Sequence, residues 1–81
     1  MSTLRNYLVK VQDTLPPTLV EEIETKAYSE LDARKVAADN FSGIPFTVKQ
    51  RLGIHKCQTI PELTAYLKCF GIKIIGVKSW K

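Results

Sequence analysis

Carboxylates become scarce after Ser42. From Gly43 onward seven Lys/Arg (Lys49, Arg51, Lys56, Lys68, Lys73, Lys78, Lys81) meet one acid, Glu62, a net +6. Up to Ser42 five basic residues meet seven acidic ones, a net −2. This split points to an acidic partner, or to an internally polar surface.

Other shortages remove whole classes of function. No apolar run approaches the roughly 20 residues that span a bilayer, so no membrane partner is expected. The opening MSTLRNYLVK has no apolar signal core, which predicts a cytoplasmic protein of a host cell. Two cysteines, Cys57 and Cys69, stand twelve apart. Without a secretory signal they read as free thiols, and a zinc site would need more ligands and a tighter Cys pair. Glycines occur singly, at 43, 53, 71 and 76, so there is no phosphate-cradling loop. His55 is the only histidine, leaving acid–base chemistry to it or to a carboxylate with a shifted proton affinity. Cys57 lies two positions away, a spacing that brings side chains together on a loop only by accident. The expectation is a non-enzyme with no catalytic residues, no metal and no cofactor.

What is present reads as one α+β domain over residues 1–81. Residues 4–14, LRNYLVKVQDT, alternate as a strand does, with Tyr7, Val9 and Val11 on one side and Leu8, Lys10 and Gln12 on the other. Leu15-Pro16-Pro17-Thr18 breaks the run. TLVEEIETKAY alternates again, with Leu19, Ile23, Thr25 and Ala27 inward and Glu22 and Glu24 outward, completing a β-hairpin. In that strand Glu21 points away from Glu22 and Glu24, so the three do not make a cation site.

Ser29 and Asp32 have capping spacing, and Leu31, Ala33, Val36, Ala37 and Phe41 form an apolar stripe behind them. Gly43 is read as the left-handed stop of this helix. Residues 44–46, IPF, read as a short extended insertion into the core. Residues 47–52, TVKQRL, read as a short helix ended by Gly53, with a period of two as the alternative. Thr59-Ile60-Pro61-Glu62 opens another helix, with Leu63, Tyr66, Leu67 and Phe70 as its stripe and Gly71 as its stop. IKIIGVKSWK ends the chain as a strand. A strict period of two puts Ile72, Ile74 and Trp80 on one face and Ile75 and Val77 on the other. The predicted fold is a small antiparallel sheet, the N-terminal hairpin plus the C-terminal strand, packed by two to three helices in the order β-β-α-(α)-α-β.

For function, cations near rings are the ingredients of nucleic-acid binding. Under a period of two Lys73 and Lys78 fall on opposite faces, so Lys49, Arg51 and Lys56 make the better patch, extended by Lys68. A helix-turn-helix with Gly53 in its turn does not fit. Lys49 stands where a small residue belongs, and Pro61 and Glu62 would sit in the recognition helix.

The run from Tyr7 to Phe41, with Ala27, Ser29, Ala33 and Ala37 in an A-x-S-x-x-x-A-x-x-x-A pattern, resembles the opening of small phage- and plasmid-encoded accessory proteins, some anti-CRISPR proteins among them. That resemblance implies a stoichiometric binder that blocks or modifies a host complex, and it carries over no binding residue. The leading expectation is therefore an accessory protein that binds a nucleic acid or nucleoprotein complex through its basic half. The alternative is an inhibitor or adaptor docking on a host protein through the hairpin edge or through Glu22 and Glu24. A homo-oligomer pairing the acidic half with the basic half is the third partner weighed.

Overall fold

Tyr7, Val9 and Val11 carry the inward face of the central strand. The computed structural model describes residues 3–14, 18–43 and 46–80. Residues 15–17, read as the proline break, and 44–45, read as part of an insertion, lie outside the described residues. Six elements follow in chain order: β1 (Arg5–Asp13), β2 (Val20–Ala27), α1 (Glu30–Asp39), α2 (Val48–Lys56), α3 (Ile60–Lys68) and β3 (Ile72–Trp80). The strands form one antiparallel sheet in the order β2-β1-β3, so the α+β fold and the β-β-α-α-α-β order expected from the sequence are observed.

All three helices lie on one face of this sheet. Tyr7, Val9 and Val11 of β1, Ala27 of β2 and Ile72 of β3 are buried there against Ala33, Ala37, Ala38, Phe41, Ile54, Leu63 and Leu67. Removal of a large apolar side chain from water contributes about 1.5–3 kcal/mol, so Val9, Val11, Ile54, Leu63 and Leu67, all fully buried, dominate stabilisation. Phe46 fills the end of this layer, edge-on to Phe70 with ring centroids 5.5 Å apart. Glu21 faces the helix layer and accepts from the Ser42 hydroxyl at 2.6 Å, while Glu22 and Glu24 stay exposed.

Each helix begins at a side-chain cap. The Asp32 N–H donates to Ser29 Oγ at 3.1 Å, and the Glu62 N–H to Thr59 Oγ1 at 3.2 Å. The Glu62 carboxylate reaches back to the Gln58 N–H, one residue beyond a standard capping box. Gly71 closes the α3 end with φ 75°, the left-handed geometry expected of it.

Three local expectations are corrected. α1 stops at Asp39, because Asn40 turns its Nδ2 back onto the Val36 carbonyl at 3.0 Å. Gly43 is not left-handed; a side chain there would run into the Phe41 ring. Gly53 does not end a helix but sits inside α2, which runs on to Lys56.

A further correction concerns β3. Lys10 pairs with Gly76 and Val11 with Ile74, so Ile75 is an extra residue, a β-bulge. The bulge shifts the alternation by one. Val77 lies opposite Val9 and joins Ile72 and Ile74 in packing on the helix layer, contrary to the strict period of two. Lys73 pairs with Gln12 and Lys78 with Leu8. Gln12 and Leu8 share the open face of β1, so Lys73 and Lys78 share a face rather than opposing each other.

Candidate nucleic-acid interface

The residues singled out from the sequence fall into two groups. α2 holds Lys49, Arg51 and Lys56. Its start is fixed by a reciprocal box, with the Gln50 N–H donating to Thr47 Oγ1 at 3.2 Å and the Thr47 N–H to Gln50 Oε1 at 2.8 Å. Ile54 points inward; Val48, 75% exposed, and Leu52, 55% exposed, point outward beside Lys49 and Lys56. Arg51 is committed elsewhere. Its Nη1 donates to Asp39 Oδ1 at 3.0 Å, and His55 Nε2 lies 3.4 Å from the second oxygen of the same carboxylate. Lys35 Nζ adds a bond to the His55 carbonyl at 3.1 Å. Asp39 thus ties α1 to α2 and offsets part of the charge on this patch.

Lys68 belongs to a different place. It borders an apolar groove of about 240 Å³ between α3 and the outer edge of β3, together with Thr14, Leu67, Ile72, Lys73 and Ile74. Of the four predicted residues, Lys49, Arg51 and Lys56 share α2, while Lys68 stands on α3 beside this groove.

The bulge creates a cationic surface that periodicity concealed. Residues of the open sheet face line up in rungs: Lys26 with Asn6, Glu24 with Leu8 and Lys78, Glu22 with Lys10 and Gly76, Val20 with Gln12 and Lys73. Each successive rung carries one lysine: Lys26, Lys78, Lys10, Lys73. Two of them, Lys10 and Lys26, come from the half whose net charge is negative, so a count by halves hides them. Only the cross-strand register, read with the bulge, reveals the set. Glu22 and Glu24 lie along β2 at one side, and Lys10 Nζ sits 4.0 Å from Glu22 Oε1, a loose and exposed pair. Between Lys10 and Lys78 the surface sinks into a depression of about 380 Å³, lined also by Leu8, Glu22, Ile75, Gly76 and Val77.

The sulfur chemistry weighed from the sequence has a plain geometry. Cys57 is buried, and its thiol donates to the Gly53 carbonyl at 3.5 Å. Burial, followed by the negative Glu62, raises its pKa above 9.0, while Lys35 pulls the other way. A nucleophilic thiol needs the opposite shift. Among the described residues no three His, Cys, Asp or Glu side chains gather as metal ligands would, and no helix is long and apolar enough to cross a membrane.

Compared with protein-family models, with curated proteins and with solved structures, the chain matches none.

Proposed function

We propose that this protein is a non-enzymatic accessory protein, of the phage or mobile-element kind, that binds a nucleic acid or nucleoprotein complex through uncommitted cations. One observation carries the reading. Among the described residues Lys49, Lys56, Lys68, Lys73 and Lys78 form no ion pair, although the first half of the chain supplies seven acids. Charges left in solution are available to phosphates, and release of phosphate counterions drives such binding. The resemblance of the opening half to small accessory proteins supports the class. Electrophoretic mobility shift with DNA and RNA at low and moderate salt is the test. Retarded bands that fade as salt rises are expected; no retardation even at low salt would overturn the reading.

A second reading rests on β2 being an edge strand. Its outer backbone groups and the exposed Glu22 and Glu24 offer a partner protein a strand to pair with. Capture from a nuclease-treated lysate separates the two, since protein docking survives the nuclease and a nucleic-acid bridge does not.

A further inference from the structure

We infer that the occupant of the open sheet face is a single strand of nucleic acid, with one unpaired base seated in the depression between Lys10 and Lys78. This rests on the nucleic-acid reading above and names the strand type and the place.

The first support is spacing. Alternate residues of a strand are about 6.8 Å apart, so the rungs that carry Lys26, Lys78, Lys10 and Lys73 repeat at roughly that interval along the sheet, each step between lysines also crossing one or two strands of about 4.8 Å. Neighbouring phosphates along an extended single strand are separated by a comparable distance. The second is width. Three strands cover about 10 Å, enough for one backbone. The second backbone of a duplex, lying over β2, would meet Glu22 and Glu24.

The third is the depression itself. Leu8, Ile75, Gly76 and Val77 line it with Lys10 and Lys78, the Glu22 carboxylate borders it on the β2 side, and its volume of about 380 Å³ suits a flat ring. Paired bases are stacked inside a duplex and present no free face; unpaired bases do. Nothing in the backbone requires glycine at 76. Its φ is not positive, and an added Cβ meets nothing closer than Lys10 Cβ at 4.0 Å. The missing side chain keeps the depression open.

The test is fluorescence anisotropy on the full chain with labelled oligothymidine and oligouridine of about ten nucleotides, beside a duplex of equal length. Both single strands should bind more tightly than the duplex. The double variant Lys10→Gln/Lys78→Gln should lose roughly tenfold in affinity and flatten the salt dependence by about 0.7 for each phosphate no longer neutralised. Gly76→Val should weaken binding several-fold with the salt slope unchanged, and circular dichroism should show all variants folded. Lys49→Gln/Lys56→Gln, which leaves the open sheet face intact, should lose less affinity than Lys10→Gln/Lys78→Gln. No binding of any probe at low salt removes the nucleic-acid reading and this inference together. Binding that disappears in the Lys49/Lys56 variant and persists in the Lys10/Lys78 variant retains the former and overturns the latter. So does a preference for duplex.

Discussion

Gly53 lies directly beneath Tyr66. A Cβ at position 53 would overlap the Tyr66 hydroxyl and ring, and that hydroxyl donates to the Gln50 carbonyl at 3.3 Å. α2 and α3 approach each other through this missing side chain. Tyr66 continues edge-on to Phe70, with ring centroids 5.3 Å apart, linking the two helices to the core.

Gly53→Ala should therefore lower stability by about 1–3 kcal/mol, the usual cost of overpacking. In a Tyr66→Leu background the same change should raise it by up to about 1 kcal/mol, because alanine is then simply the better helix residue. Urea unfolding of the four proteins checks the reversal of sign. Loss of stability in both backgrounds would mean that the ring is not the obstacle.

Thr25 is 7% exposed, and its hydroxyl is the buried side-chain oxygen without a hydrogen-bond partner among the described residues. Thr25→Val replaces the hydroxyl by a methyl of similar size. Desolvating an unpaired hydroxyl costs about 1–3 kcal/mol, so the variant should gain on the order of 1 kcal/mol in thermal or urea unfolding. A loss of that size would place a partner on the hydroxyl.

Cys57 should make unfolding depend on alkaline pH. Its folded pKa lies above the ordinary 9.0, so the folded protein holds the proton more tightly than the unfolded chain. The associated stability is fully present below 9.0 and is lost as pH rises from there through the folded value. Cys57→Ala should be less stable at neutral pH but should lose this part of the alkaline decline. In thiol labelling of the native protein the exposed Cys69 should react first, with Cys57 following only on unfolding.

Asp39→Asn should cut the charge link to Arg51 and loosen the contact with His55 while sparing the core. Arg51 and His55 are both half-exposed here, so the cost should stay below about 1 kcal/mol and shrink with added salt. A loss of several kcal/mol would show that the clamp, and not apolar packing, holds α2 on α1.

The local elements were written plainly into the chain. Tyr7, Val9 and Val11 alternate, Ser29 and Thr59 cap, and Leu63 and Leu67 recur at helical spacing, because neighbours within one strand or one turn decide such patterns. The α+β class followed from these alone. The exceptions were decided by packing between elements. Gly53 resembles a stop in sequence, yet it lies inside α2, and Tyr66 of another helix fills the space its side chain would take.

The lysine ladder belongs wholly to the tertiary level. Lys10 and Lys26 are separated from Lys73 and Lys78 by most of the chain, and only strand pairing makes them neighbours. One residue, Ile75, then sets on which face the last two lie, because a side-chain period of two inverts with every residue inserted. A bulge forms where two strands meet, so neither strand announces it alone.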